Sequence, residues 1–185
     1  MLYLTITYIE LICTMLTKEE IQNNIVGLFF KCFDCKVPQI QILTISRTEG
    51  LAKLIDFSEI KNKLLPRILL LCDDDDQTVK RCALRFIFGK LSVCDSSLAE
   101  NGLLKMVERN LVSGNSPQTN MILLDILKEI GGTFSTDVIA SKVLPIMIPF
   151  LVNPSSTKYE FTKFFDTISI FLQEIQKKRM IVSNV

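Results

Sequence analysis

The sequence predicts an all-α fold, an α-solenoid of about four helix pairs, and three observations indicate it. Apolar residues recur at helical spacing, and no stretch alternates between apolar and polar residues for long enough to predict a strand. Four residues return 79 positions later in the same order: Ile60, Lys63, Leu65 and Pro66 reappear as Ile139, Lys142, Leu144 and Pro145. Half that interval also relates residues, since Ile21 lies 39 positions before Ile60. Paired helices that repeat about every 40 residues are typical of HEAT and armadillo arrays, and the proline inside the first helix of a pair favours the HEAT type.

The first 16 residues are predicted to form one apolar helix, which we interpret as the remnant of a repeat that precedes the array. The stretch lacks a basic start and contains Glu10 in its middle, so a core helix is favoured over a signal peptide. A repeat that lacks its first helix leaves an apolar face uncovered. We therefore expect this N-terminal face to support self-association.

The repeat array is predicted over residues 17–179 and is followed by a C-terminal tail, 180–185. Thr17 and Glu20 have the spacing of a capping box and mark the start of the first helix. Pro38 stands in the first turn of the returning helix, where its missing N–H is tolerated. The predicted repeats cover, to within a few residues, 17–55, 56–92, 97–132 and 136–179.

The returning helices carry the predicted core and two unexplained glycines. In the first repeat the predicted apolar positions are Ile40, Leu43, Leu51, Leu54 and Ile55. In the second repeat, where the helix is predicted over 77–92, they are Val79, Cys82, Ala83, Phe86 and Ile87. Gly50 and Gly89 occupy equivalent positions in these helices, and close packing of a neighbouring helix would explain a glycine there. Gly131 and Gly132 are predicted to end the returning helix of the third repeat.

Several enzyme classes are excluded by composition. The chain of 185 residues contains no histidine, so it has no Ser-His-Asp or Cys-His nucleophile arrangement and no histidine general base. Its seven glycines form neither a P-loop nor a dinucleotide-binding fingerprint. We predict that the chain is not an enzyme, with no catalytic residue and no cofactor.

Two clusters could bind a metal ion, and neither has the required pattern. Cys32 and Cys35 have C-x-x-C spacing, but no second pair stands at zinc spacing, so buried free thiols are predicted instead. The acidic stretch 73–76 lacks the alternating ligands and the glycine of a calcium loop. We predict a solvated turn in which Asp76 caps the next helix, with contact to a basic partner as the alternative.

Lys80, Arg81 and Arg85 are the predicted partner-binding residues. Arg81 and Arg85 stand four positions apart and so share one face of the helix. Returning helices often line the concave binding surface of a solenoid. Ordinary solubilising charge is the alternative explanation for these three residues. A net charge of +1 makes nucleic acid an unlikely partner.

Several segments have an amino-acid sequence that is more specific than the general HEAT pattern. They are residues 20–25, 37–41 and 54–67, then Val79-Lys80-Arg81 with Gly89-Lys90-Leu91, and finally residues 142–149 followed by the helix 161–168. In order and spacing these segments resemble the C-terminal HEAT-repeat region of the Scy-like protein-kinase-like (pseudokinase) family. The resemblance covers approximately residues 16–176 and, within the family, is greatest to the coated-vesicle-associated member.

This resemblance implies a cytoplasmic scaffold, peripheral to Golgi and endosomal coated vesicles, whose partners are clathrin or adaptor and other coat subunits. No small-molecule substrate is implied. Family members carry a kinase-like domain ahead of the repeats, whereas this sequence contains no H-R-D, D-F-G or glycine-rich loop. No stretch approaches the roughly 20 apolar residues of a spanning helix, so membrane association is expected only through partners. Two alternatives stay open: a generic HEAT or armadillo scaffold of the transport-receptor or phosphatase-regulatory type, and the regulatory C-terminal region of an active protein kinase.

Overall fold

The computed structural model of the chain describes residues 2–91, 98–111 and 115–183. The predicted junction between the second and third repeats and the end of the predicted tail lie outside these ranges. Every regular element within them is helical, as the sequence predicts. The chain forms two compact units, Met1–Ile87 and Phe88–Val185, which we call the first and the second unit.

The first unit contains an N-terminal helix and two helix pairs. Its elements are α1 (Leu2–Thr7), α2 (Ile9–Thr14), α3 (Lys18–Glu20), the π turn π1 (Ile21–Ile25), α4 (Val26–Asp34), α5 (Pro38–Leu51), α6 (Phe57–Glu59), π2 (Ile60–Leu64), α7 (Leu65–Leu71) and α8 (Gln77–Phe88). The N–H of Tyr8 donates to Leu4 O at 3.1 Å and the N–H of Ile12 donates to Tyr8 O at 2.9 Å. These two bonds join α1 and α2 into a nearly continuous helix, which packs on α5.

The second unit contains two further helix pairs. Its elements are π3 (Ala99–Leu103), α9 (Leu104–Asn110), α10 (Pro117–Gly131), α11 (Thr136–Val138), π4 (Ile139–Val143), α12 (Leu144–Met147), a 3-10 turn (Ile148–Val152) and α13 (Lys158–Ser183). Ser116 caps α10 by accepting a hydrogen bond from Thr119 N–H, and Ser135 caps α11 in the same way. The end of α10 at Gly131 agrees with the prediction.

The capping residues predicted in the first unit are present. Glu20 Oε2 accepts a hydrogen bond from Thr17 N–H at 2.8 Å, while Thr17 Oγ1 accepts one from Glu20 N–H. This reciprocal pair is the predicted capping box. Asp76 Oδ1 accepts hydrogen bonds from the N–H groups of Thr78 and Val79, so Asp76 caps α8 as predicted.

A π turn recurs in the first helix of every repeat. The four π turns begin at Ile21, Ile60, Ala99 and Ile139. These starting points are 39 or 40 residues apart, so the feature follows the sequence period. In the second repeat, for example, the N–H of Leu65 donates to the carbonyl of Ile60, five residues earlier. Isolated π turns are uncommon in α-helices, and their regular recurrence makes them part of the repeat.

The π turn explains the internal proline. Pro66 and Pro145 each stand in the first α-helical turn after a π turn, where the proline's missing N–H is tolerated. The equivalent positions of the other two repeats hold Gly27 and Lys105. The π turn therefore does not depend on proline, although it accommodates one.

Each unit is built around aromatic side chains. In the first unit, Phe29 and Phe33 meet edge to face with their ring centroids 5.2 Å apart. In the second unit, the rings of Phe150 and Phe164 stack with centroids 3.9 Å apart. The edge-to-face geometry of Phe29 and Phe33 adds about 0.5–1.5 kcal/mol to the free energy gained from burying the rings.

The returning helix of the first repeat, α5, departs from the predicted pattern. It ends at Leu51, so Leu54 and Ile55 lie in the following turn. Three of its buried residues are polar: Gln41, Thr44 and Thr48. Each of these side chains donates a hydrogen bond to a backbone carbonyl, as Gln41 Nε2 does to Phe33 O at 3.0 Å. A polar group that is bonded in this way can be buried. Apolar periodicity therefore found Leu51, which is buried as predicted, but missed the polar part of the inner face, while Ile40 and Leu43 are only partly buried.

Candidate partner-binding surface

The predicted partner-binding residues lie on α8, whose inner face is well defined. Val79, Ala83 and Ile87 are buried as predicted, together with Leu84. Two other residues predicted to face inward, Cys82 and Phe86, are only partly buried. These burial values show that one side of α8 is buried and that the opposite side, which carries Arg85, faces solvent.

Arg81 and Arg85 share the outer face of α8, as their spacing predicts. Arg85 is exposed, while Lys80 and Arg81 are partly buried. Lys80 lies about 100° around the helix from Arg81 and about 140° from Arg85, on the side that carries the buried Leu84 and Ile87, so it does not belong to the row of the two arginines. Within the described ranges none of the three forms an ion pair.

Several cations of the first helices are, by contrast, held by carboxylates of the same unit. Arg67 Nε lies 3.0 Å from Asp34 Oδ1, and the guanidinium also covers the ring of Phe30 at 5.2 Å. In the second unit, Lys142 pairs with Glu100 of the preceding repeat. These two pairs connect consecutive repeats.

A buried polar link in the second unit was missed by sequence reasoning. Glu160 of α13 is 1% exposed, and its Oε1 accepts a hydrogen bond from Asn120 Nδ2 of α10 at 2.8 Å. Its Oε2 accepts from the N–H of Thr157 at 2.9 Å and from the Thr157 hydroxyl at 2.7 Å. Thr157 and Glu160 have capping-box spacing, which is the signal that could have found this residue.

The surroundings of Glu160 favour the charged form of its carboxylate. Burial acts to raise its pKa, but the hydrogen bonds from Thr157 and Asn120 outweigh burial and hold the pKa below its ordinary value. Asn120 Oδ1 is also buried, and it has no hydrogen-bond partner among the residues that the structure describes. The link is enclosed in the unit, so we assign it a structural role and not a binding role.

The cysteine pair is suited to packing. The cysteines in the described ranges are free thiols, and Cys35 donates a hydrogen bond to Cys32 O. Burial, with a smaller contribution from Cys35, raises the pKa of Cys32 to about 11. The thiolate is the form that binds metal and reacts, and it is disfavoured here.

The acidic turn at 73–76 contains the residue that caps the N-terminus of α8. Asp74 Oδ1 accepts a hydrogen bond from Asp76 N–H at 2.8 Å, and Asp76 caps the helix. The turn also borders a shallow groove that contains Lys36. Within the described ranges no three metal-ligating side chains converge on one point. In those same ranges no helix has both the length and the hydropathy needed to cross a bilayer.

The sequence is similar to proteins of the Scy-like family. No protein-family profile matches the chain. It is 25% identical over 176 residues to SCY1-like protein 2 of Homo sapiens, and equally to SCY1-like protein 2 of Mus musculus. Each alignment covers 91% of this chain but 18% of the relative, so the chain spans less than a fifth of those proteins. The predicted resemblance to the Scy-like family is confirmed.

The fold is similar to that of a solved structure, the crystal structure of Cex1p. The two superpose with a TM-score of 0.77, which covers 97% of this chain and 34% of that chain. Their sequence identity is 16%, so this likeness concerns the fold alone. It confirms the predicted all-α solenoid.

Proposed function

We propose that this chain is a non-catalytic HEAT-type scaffold module that mediates protein–protein interactions in clathrin- and adaptor-linked traffic between the Golgi and endosomes. The observation that carries the proposal is the similarity to SCY1-like protein 2 along 91% of the chain. The solenoid fold supports it, because stacked helix pairs provide extended binding surfaces. In this proposal the protein is cytoplasmic, peripheral to coated vesicles, and bound to clathrin or to adaptor and other coat subunits.

The outer face of α8 is the proposed contact with the partner. Arg81 and Arg85 present two guanidinium groups about one helical turn apart, and each can bind a carboxylate through two parallel hydrogen bonds. Among the residues that the structure describes, neither arginine has an ion pair that it would have to break on binding. The partner segment should accordingly be acidic, with two carboxylates roughly 5–6 Å apart.

Affinity capture of the tagged chain from the cytosol of its own cells, followed by quantitative mass spectrometry, tests the function. We expect enrichment of clathrin, adaptor or other coat subunits. Recovery of transport receptors or phosphatase subunits without coat subunits would contradict the trafficking function and favour the generic scaffold.

A charge-reversed variant tests the surface in the same experiment. Combining Arg81→Glu with Arg85→Glu should reduce capture of the coat subunits about tenfold, the effect of losing roughly 1.4 kcal/mol of binding free energy. The matched control combines Lys31→Glu with Lys53→Glu, two exposed lysines of the same unit, and changes the net charge equally. Equal loss of capture in both variants would show that net charge, and not α8, is responsible.

Thermal unfolding with ATP and Mg²⁺ tests the non-catalytic assignment separately. A protein that binds a ligand in its folded state gains stability from that ligand. We expect the melting temperature of this chain to be unchanged at millimolar ATP and Mg²⁺. A rise of several degrees would reveal a nucleotide site and overturn the assignment.

A further inference from the structure

We infer that two copies of this chain associate through the outer face of the helix formed by α1 and α2. This face, the N-terminal seam, consists of four exposed apolar residues: Leu4 of α1 (62% exposed), Tyr8 at the junction of α1 and α2 (56%), Leu11 of α2 (60%) and Met15, the C-cap of α2 (81%). On the opposite side of the same helix, Ile6 and Ile9 are completely buried, where the helix packs on α5. One face of the helix is thus used inside the first unit, while the seam is open to solvent.

The spacing of the seam indicates that its occupant is another helix. Its members are four, three and four residues apart, which is the alternation of the a and d positions of a heptad. Side chains at this spacing interdigitate with those of a facing helix. An extended peptide would instead match side chains at every second residue.

The residues that flank the seam allow the facing helix to be an identical copy. The flanking e and g positions hold Thr5, Thr7, Ile12 and Thr14. Charges at these positions set partner choice in coiled coils, and here there is none to repel an identical helix. Thr7 and Thr14 donate their hydroxyl hydrogens to carbonyls of their own helix, at 2.8 Å and 2.7 Å. Burying these hydroxyls therefore leaves no donor unpaired.

Charge argues against other occupants. Residues 2–16 contain no lysine or arginine, so an anionic membrane or an acidic protein finds no cation on this face. Glu10 is the one charged residue in the stretch, and its Oε1 lies 3.7 Å from Nη1 of Arg47 in the same unit. What the seam fits is an uncharged apolar helix, and a second copy supplies it through two-fold symmetry.

The size of the seam sets the expected strength. Two such faces bury on the order of 1,000 Å² in total, which is at the low end of specific interfaces. We therefore expect a reversible monomer–dimer equilibrium with a Kd on the order of 10 µM.

Sedimentation equilibrium of the full chain, from about 1 to about 200 µM, measures this equilibrium. Leu11→Glu places a carboxylate at the centre of the seam and should weaken dimerisation at least tenfold. Because Leu11 is exposed in the single chain, the variant should keep the wild-type circular dichroism spectrum and melting behaviour at low concentration, so a loss of dimer is not a loss of folding. A wild-type chain that stays monomeric throughout, or a dimer that Leu11→Glu leaves intact, overturns the inference.

A second exposed apolar pair provides the matched control. Phe161 and Phe165 of α13 are 42% and 51% exposed, in the other unit. The variant that combines Phe161→Glu with Phe165→Glu should dimerise like the wild type. If it is weakened as much as Leu11→Glu, copies join head to tail through unlike faces and the two-fold pairing is wrong. A monomeric chain that binds uncharged phosphatidylcholine vesicles through Leu11 would assign the seam to lipid and also overturn the inference.

Discussion

The two units bury polar side chains of their returning helices in different ways. In the first unit, Thr44 and Thr48 donate to carbonyls of their own helix and Gln41 donates to the carbonyl of Phe33 in α4, so all three acceptors are backbone atoms. In the second unit, Asn120 of α10 donates to the side chain of Glu160 in α13. A backbone carbonyl is an acceptor whatever side chain that position carries. The bond from Asn120 forms only while the Glu160 carboxylate faces it, and any other position of α13 leaves a buried group unpaired.

The same contrast holds for the glycines of the returning helices. A Cβ atom on Gly50 would lie 2.7 Å from Glu10 Oε1, the flexible end of a partly exposed side chain. The predicted close approach at Gly50 is thereby confirmed. A Cβ atom on Gly131 would lie 2.5 Å from Cζ of Phe171, whose ring is 2% exposed. Contacts between helices are thus adjustable at the first position and tightly packed at the second.

Among the variants that test this difference between the units, Glu160→Ala is expected to have the largest effect on the free energy of unfolding. It removes a helix cap, worth about 1 kcal/mol, and leaves Asn120 unpaired, which costs about 1–3 kcal/mol. We expect the free energy of unfolding, measured by urea denaturation, to fall by about 2–4 kcal/mol.

Two further variants control that experiment. Glu20→Ala removes the corresponding capping-box carboxylate of the first unit, which is exposed, and should be much milder. Glu160→Gln should recover part of the loss, since Asn120 Oδ1 lacks a partner and can accept from the new amide once the Asn120 side chain rotates. Equal losses for Glu160→Ala and Glu20→Ala would show that the link between helices adds nothing to the cap.

Gly131→Ala should lower the stability of the fold, whereas Gly50→Ala should leave it nearly unchanged or raise it. The new methyl group at position 131 meets the buried ring of Phe171, and such overpacking costs about 1–3 kcal/mol. At position 50 the carboxylate of Glu10 can move aside, while alanine favours the helix by up to about 1 kcal/mol over glycine. Thermal unfolding of the two variants measures the difference. A similar loss of stability in both would mean that Glu10 is held as firmly as Phe171.

Acid should weaken both capping boxes, and glutamine variants should show it. The pKa of Glu160 is held low as described above, and the pKa of Glu20 is lowered by hydrogen bonds from the backbone and the hydroxyl of Thr17. Because both folded pKa values lie below the unfolded value of about 4.3, each carboxylate stabilises the fold above that pH. Its contribution is lost as the pH falls through the folded pKa. Denaturation between pH 6 and pH 3 should show a shallower decline for Glu160→Gln than for the wild type. If the stability of Glu160→Gln falls with pH as steeply as that of the wild type, protonation of Glu160 is not linked to unfolding.

The smallest effect is expected for Gly27→Pro, which gives the first repeat the residue that the fourth repeat carries at Pro145. A Cβ atom on Gly27 has no neighbour within 4 Å. The backbone of the preceding residue, Val26 (φ −60°, ψ −44°), matches that of Leu65 before Pro66 (φ −59°, ψ −44°). The change in unfolding free energy should stay within about 1 kcal/mol.

Lys31→Pro, four residues further along the same helix, is the control. Proline in an ordinary helix interior costs about 3 kcal/mol or more. If Gly27→Pro proves equally damaging, the π turn is not what makes the internal proline tolerable.

Several features of the fold and of the candidate site could be predicted because each depends on residues close together in the chain. The caps at Thr17 and Asp76 are examples. The helix that carries Lys80, Arg81 and Arg85 was also predicted, with the shared face of the two arginines. That these three residues lack ion pairs in the described ranges could not be predicted, because the carboxylates that could have paired with them lie elsewhere in the chain.

The amino-acid sequence was enough to predict the helical class, the period of 39 to 40 residues and the helix starts, since periodicity and capping act over a few residues. Which side of α5 is buried becomes visible only in the folded chain, because hydrogen bonds to the backbone allow polar residues there. Folding also brings Asn120 into contact with Glu160 and Gly131 into contact with Phe171, residues that are about 40 positions apart in the chain. These contacts depend on how one helix packs on the next, so they cannot be predicted from the residue pattern of a single helix.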